Sequence, residues 1–293
     1  MNKLPSWLRQ EIPDDKTLDL MQLFSEFNLH TVCRQARCPN ITHCFRNKKV
    51  TFMILGDTCT RNCKFCGVTK SGTVASLPID LDEPYRISQV VEILGLKYVV
   101  ITSVSRDDLS DGGAGIFAET IELIHRVNKD IKVEVLIPDF CGKILCLEYV
   151  LDAGPDVVAH NIETVRRLSG ELRPQADYQL SLGVLSKIKE LNQAIITKSS
   201  MMLGLGETEQ EAIHTMEDLR KNKCDILTLG QYLAPSVKHY PVKEFISIEQ
   251  FKKYQDIGFG LGFKSVLSGP LVRSSYQAEE VNEAITYGAQ SAT

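Results

Sequence analysis

No apolar run in this 293-residue chain approaches the roughly 18 residues that a membrane-spanning helix needs. The opening stretch, MNKLPSWLRQEIPDD, has no apolar signal core, and it is neither Arg-rich nor poor in acids as a transit peptide would be. The expected location is therefore the cytoplasm, with no membrane partner. A large excess of one charge is also missing. Lys and Arg number 33 against 37 Asp and Glu, a formal net charge of −4, which gives no global attraction to nucleic acid. Low-complexity stretches and linker-like segments are absent too. With 43% apolar and 24% charged residues, the composition is that of an ordinary globular protein. It excludes a collagen-like, coiled-coil or mainly disordered chain. A full dinucleotide fingerprint after the first strand is lacking, and Gly204 and Gly206 in LGLGET are only a G-x-G fragment.

What the chain does have is a texture of short apolar runs separated by amphipathic stretches. TFMILG, YVVITSV, KVEVLIP, DVVAHN, IITKSSMMLG and DILTLGQYL read as buried parallel strands. Between several of them lie helical patterns such as ISQVVEILGLK, GIFAETIELIHRVNKD and TEQEAIHTMEDLRKNK. The alternation implies right-handed βα units and a parallel sheet. Six such strands predict an α/β fold with a partial (β/α)6 TIM-like barrel, and an open doubly wound sheet is the competing arrangement. Three segments are expected: a polar extension over 1–50, a barrel core over 51–233, and a cap over 234–293 that returns to the barrel mouth.

Cysteine is the second positive feature. Six of the nine fall between positions 33 and 66, and an odd total without a signal peptide argues against a disulfide framework. Cys224 reads as a small core residue, and Cys141 and Cys146 are given no role. Cys59, Cys63 and Cys66, in LGDTCTRNCKFCGV, follow the first expected strand with C-x3-C-x2-C spacing. Three thiolates on one loop can take three corners of an iron–sulfur cube and leave one iron open. Zinc is the plainer alternative. Structural zinc sites usually close with four ligands in paired units, however, and no such partner follows here. Loops after barrel strands also form the active-site face. In this context the motif resembles that of the radical SAM enzymes. The resemblance implies an open iron that chelates S-adenosylmethionine (SAM). It also implies an adenosyl radical able to cleave unactivated C–H bonds.

Cys33, Cys38 and Cys44, in CRQARCPNITHC, form a second triad with C-x4-C-x5-C spacing ahead of the barrel. Alone it competes with zinc and with incidental thiols. Beside the first triad, its spacing resembles the auxiliary-cluster motif of the lipoyl synthase family. GPLVRSSYQA, with Arg273, Ser274, Ser275 and Tyr276, resembles that family's C-terminal RSSY motif, whose serine is the fourth ligand. The residues alone do not choose between Ser274 and Ser275, and the family pattern favours Ser275. Further similar segments are SVSRDDLSDGGA, HNIETVRRL, TKSSMMLGLGET and LTLGQYLAPSVKHYPV, so the resemblance runs from about residue 31 to 278. The chain departs from the pattern at Lys64, at Gly67 and in HCF after the auxiliary triad. None of these removes a ligand, and they bear on docking and cluster tuning.

The resemblance implies two 4Fe–4S clusters and SAM. The reaction it implies is insertion of two sulfur atoms at carbons 6 and 8 of a protein-bound octanoyl chain, with the auxiliary cluster as donor. The implied partners are an octanoylated lipoyl carrier domain and a low-potential electron donor such as ferredoxin or flavodoxin. The carrier would be a 2-oxoacid dehydrogenase acyltransferase subunit or a glycine cleavage H protein. Arg106, with Asp107 and Asp108, is expected near SAM, although the same residues make good turn and ion-pair chemistry. Asn161 and Glu163 are expected at the SAM ribose and Arg173 at its carboxylate. Gly112 and Gly113 either admit a ligand or turn the chain. The six histidines show no shared metal spacing, and Met201 and Met202 read as core. Two alternatives remain open here. One is another two-cluster radical SAM sulfur inserter, similar to biotin synthase. The other is a zinc-binding structural protein.

Overall fold

Seven strands pair side by side in chain order, every neighbouring pair parallel. They are β1 (Thr51–Ile54), β4 (Tyr98–Ser103), β5 (Lys132–Leu136), β6 (Val157–Ala159), β7 (Ile196–Leu203), β8 (Ile226–Gln231) and β9 (Ser265–Gly269). Two further two-residue strands, β2 (Thr58–Cys59) and β3 (Thr69–Lys70), form a small parallel ladder inside the first cysteine loop. The computed structural model describes residues 5–8, 11–70 and 78–290. The outermost residues of the expected extension and cap, and part of the opening stretch MNKLPSWLRQEIPDD, lie outside that set.

The strand order never reverses along the sheet, which is barrel-type winding rather than the doubly wound alternative. The first and last strands lie at opposite ends of the sheet order, so the barrel is a partial one. Six strands are those read from the sequence. The seventh, β9, comes from the 234–293 stretch, where SVLSG carries too little apolar character to announce a strand.

Helices cover the outer face. Among them are α4 (Glu83–Leu94), α5 (Ala114–Val127), α6 (Ile144–Asp152), α8 (Tyr178–Leu191), α9 (Glu209–Lys221) and α10 (Ile248–Gly260). Each turns an apolar stripe inward: Ile87, Val90 and Val91 on α4, and Ile116, Phe117, Ile121 and Ile124 on α5, all join one buried cluster. On α9 a capping box fixes the start, with Thr208 and Glu211 exchanging side-chain to backbone hydrogen bonds. The short α7 (Arg166–Leu172) follows β6, and α11 (Ala278–Gln290) ends the described chain. Among the described residues, no helix is long and apolar enough to cross a membrane.

The N-terminal extension closes on the free edge of β1. Its helices are α1 (Asp15–Glu26), α2 (Val32–Gln35) and α3 (Ile41–Arg46). Phe24 on α1 packs edge-on against Phe45 and Phe52, with ring centroids 5.5 and 5.9 Å apart. Met53 N donates to His30 O at 2.9 Å, and Thr31 bridges Phe52 in antiparallel sense. An exposed strand edge is thereby paired. The second cysteine triad starts two residues later.

Candidate active site: two cysteine triads joined at the barrel mouth

The first triad lies on the loop after β1. That loop opens with two left-handed residues, Leu55 (φ 68°) and Gly56 (φ 84°). Leucine in this region is strained, and the turn is held by Leu55 N donating to Glu83 Oε2 at 2.7 Å. A Cβ on Gly113 (φ 89°) would stand 2.2 Å from Leu55 Cδ1. Glycine is favoured there by the positive φ, and an added Cβ would also displace that methyl group. Thr60 N donates to Ser105 O at 3.0 Å, Lys64 N to Leu172 O at 2.8 Å, and Lys70 Nζ to Cys63 O at 2.7 Å. His239, in the segment after β8, places its Nε2 3.1 Å from Cys66 O. Arg37, in the second triad, donates to Pro235 O of that same segment at 3.2 Å. Residues 235–239 therefore tie both cysteine motifs together.

Burial of Glu83 pushes its carboxyl up to about 7 from 4.5. The sign follows directly. Folding favours the protonated form, so this contribution is complete below pH 4.5 and is lost as pH rises toward 7. Glu83→Gln keeps an acceptor for Leu55 N and removes the titration. Relative to the parent, the variant is expected to gain up to about 3 kcal/mol between pH 4.5 and pH 8, read from urea midpoints under anaerobic conditions.

The second triad lines a cavity of about 250 Å³ together with Thr51, Arg273 and Ser275. Cys33 is buried, and Cys38 and Cys44 are half-buried. The C-terminal turn reaches this cavity because Asn40 Nδ2 donates to Leu271 O at 2.6 Å. Gly230 lies beneath the turn, where an added Cβ would meet Val272 O at 2.0 Å. The two serines face different ways. Thr51 Oγ1 donates to Ser275 Oγ at 2.7 Å inside the thiol cavity. Ser274 Oγ donates to Asn161 Oδ1 at 3.0 Å, and Asn161 Nδ2 donates to Glu163 Oε1 at 3.0 Å. One turn thus touches the thiol cavity and the barrel mouth.

Both triads are electrostatically frustrated on their own. Burial pushes Cys66 up to about 11, and its neighbours Cys63 and Cys59 add to the shift. In the second triad burial raises Cys33, helped by Cys38 and Cys44, and lifts Cys44 to about 11. A cationic metal centre resolves this by binding the thiolates. Among the described residues, no three His, Cys, Asp or Glu side chains converge as ligands of one ion.

The remaining expected site residues cluster around this loop. Arg106 is buried and pairs with Asp108 at 2.8 Å, so the turn and ion-pair chemistry is present. Asp107 instead accepts from Arg61. Arg173 Nη1 donates to Ile162 O at 3.1 Å, and its charge favours the Cys63 thiolate. Burial drives the Glu163 carboxyl upward, opposed by Arg173 and Asn161. His160 is buried, with Nδ1 2.9 Å from Ile137 O and its pKa lowered to about 4 by burial and by Arg173. Cys146 and Cys224 are buried, whereas Cys141 is exposed. Sequence reasoning missed Arg61, Asp139, Glu83 and the Lys198–Glu134 pair. The available signal for Asp139 was a charged residue at the end of a barrel strand.

Comparison with known proteins bears on this arrangement. The family profile described as the Radical SAM superfamily matches residues 53–219. The lipoyl synthase of Caldicellulosiruptor bescii is 50% identical over 284 residues, 97% of this chain and 97% of its own. That of Aquifex aeolicus is 51% identical over 265 residues, 90% of this chain and 95% of its own. The chain belongs to the lipoyl synthase family. Solved structures show the fold alone. Methylornithine synthase has a TM-score of 0.56 at 13% identity, covering 73% of this chain and 62% of that one. A maturase of the FeFe-hydrogenase has a TM-score of 0.59 at 16% identity, covering 80% and 54%. Like its family, this lipoyl synthase relative is a radical SAM enzyme working with SAM and 4Fe–4S clusters.

Proposed function

We propose that the chain builds lipoyl groups by inserting sulfur at carbons 6 and 8 of an octanoyl chain, amide-linked to a lysine of a lipoyl carrier domain. Cys59, Cys63 and Cys66 hold the cluster that meets SAM. Cys33, Cys38, Cys44 and Ser275 hold the auxiliary cluster. When bound, the two clusters supply the electron that cleaves SAM to an adenosyl radical and the sulfide that the substrate carbons take up.

The chain's own side chains do the rest. Thr51 donates its hydroxyl proton to Ser275 Oγ, which favours the negative charge that a serine ligand must carry. Oxygen is a hard ligand on a soft iron–sulfide site, which suits a cluster meant to be opened. In this reading Asn161 and Glu163 would take the SAM ribose hydroxyls and Arg173 the SAM carboxylate, supported by the Asn161–Glu163 hydrogen bond and by the Arg106–Asp108 ion pair beside them. Residues 235–239 bond to both cysteine motifs, which would help keep water and oxidant away from the bound groups.

The observation that carries this reading is the RSSY turn, with Ser275 in the thiol cavity and Ser274 on Asn161. The expected setting is the cytoplasm. The expected partners are an acyltransferase subunit of a 2-oxoacid dehydrogenase or a glycine cleavage H protein, with ferredoxin or flavodoxin as electron donor. The test is anaerobic reconstitution followed by incubation with SAM, dithionite and an octanoylated carrier domain. About eight iron and eight sulfide per chain, with lipoyl carrier as product, is the expected result. Product from free octanoic acid but none from the carrier would sink the substrate assignment.

A further inference from the structure

Between the first two cysteines of the barrel loop sits an arginine whose side chain is only 6% exposed. Arg61 Nε and Nη2 donate to Asp107 Oδ2 and Oδ1 at 2.8 and 2.9 Å. Its Nη1 and Nη2 also donate to Asp139 Oδ2 and Oδ1, both at 2.6 Å. Asp107 follows β4 and Asp139 follows β5, so one guanidinium ties the cysteine loop to two other strand ends. The carboxylates are fixed in turn. Asp139 Oδ1 accepts from Cys141 N at 2.9 Å, in a turn where Phe140, Cys141 and Gly142 all have positive φ (46°, 52° and 77°). Asp107 N donates to Thr60 Oγ1 at 3.2 Å. Burial works to raise the Asp139 carboxyl, but the Arg61 hydrogen bonds and charge win and hold it at about 2. Arg61 N also donates to Cys59 Sγ at 3.4 Å, so the clamp and a thiol share one residue's backbone.

We propose that Arg61, gripped by Asp107 and Asp139, is the positioning residue that presents Cys59 and Cys63 to their cluster and sets the electrostatic potential around it. This rests on the assignment of Cys59, Cys63 and Cys66 as ligands of that cluster. A planar fork can bind two carboxylates in bidentate fashion at once, which the compact ammonium of lysine cannot. Loss of the guanidinium leaves the buried Asp139 carboxylate facing the partly exposed carboxylate of Asp107, both beside the cysteine loop. The added negative potential disfavours the reduced cluster, so its midpoint falls. The loop also loses its anchor to β4 and β5. Partners of this kind carry about 10–100-fold in metal affinity or activity.

The test uses the full chain with Cys33, Cys38 and Cys44 replaced by alanine, so that one cluster is read at a time. Iron retained against a chelator, the midpoint potential and the unfolding midpoint are measured for this parent, for Arg61→Ala and for Arg61→Lys. Arg61→Ala is expected to release iron about 10–100-fold faster and to have a more negative midpoint potential. Arg61→Lys is expected to keep the parent's unfolding midpoint and most of its potential, yet still to lose iron faster. If Arg61→Ala does not fold, Arg61→Lys carries the test. Parental iron retention and parental potential in the folded variants would overturn the proposal. So would iron loss that only tracks a fall in the unfolding midpoint. A parent that binds no iron would instead overturn the ligand assignment, and the clamp's role with it.

Discussion

Replacing Cys33, Cys38 and Cys44 together by alanine is expected to abolish lipoyl product while SAM cleavage continues. The two triads are built by different parts of the chain. One hangs from β1 at the barrel mouth. The other is held by the extension on the edge of β1 and by the turn after β9. Removing the second leaves every hydrogen bond of the first loop to Ser105, Leu172 and the Arg61 carboxylates in place. The variant should therefore hold about four iron instead of about eight and still release 5′-deoxyadenosine. A radical formed on substrate would find no sulfide, so lipoyl carrier should fall to background. The measurement is paired quantification of 5′-deoxyadenosine and lipoyl carrier by mass spectrometry. Lipoyl product at the parental ratio would mean that the sulfur comes from elsewhere.

The second large effect is on stability. Lys198 on β7 and Glu134 on β5 form an ion pair at 2.8 Å, with side chains 1% and 2% exposed. Val133 and Val135 pack with the helices on the outer side, so Glu134 points to the opposite, inner face of the sheet. Tyr98 hydroxyl donates to Glu134 Oε2 at 2.8 Å. Lys198→Met strips the charge partner and leaves a buried carboxylate with one neutral donor. Breaking such a pair costs about 3–5 kcal/mol, because the remaining charge is uncompensated. Replacing both members, as Glu134→Leu with Lys198→Met, is expected to restore most of that loss. Urea midpoints of the two variants decide it. A single variant as stable as the parent would show that the carboxylate finds another partner or a proton.

Much of the site was legible because its chemistry is encoded in local spacing. C-x3-C-x2-C after a strand places three thiols on one loop whatever the rest of the chain does. Six of the seven sheet strands announced themselves as short apolar runs, and α9 as the amphipathic pattern TEQEAIHTMEDLRKNK. β9 did not, because a Ser- and Gly-containing run of five residues becomes a strand only when β8 offers its edge. The same holds for Gly113. As a residue it is compatible with a ligand approach or with a turn, and only the structure shows its φ of 89° and the Leu55 methyl packed against it.

The sequence by itself determined most element types, the clustering of thiols and the family resemblance, all of which rest on residue kinds at short separations. Only the tertiary structure decided that Ser275 enters the thiol cavity while its neighbour Ser274 turns to Asn161. It alone joined Arg61 to carboxylates 46 and 78 residues away. The physical reason is the same in both cases. Where a side chain points depends on the path of the backbone, and what it meets there depends on strands brought together from distant parts of the chain.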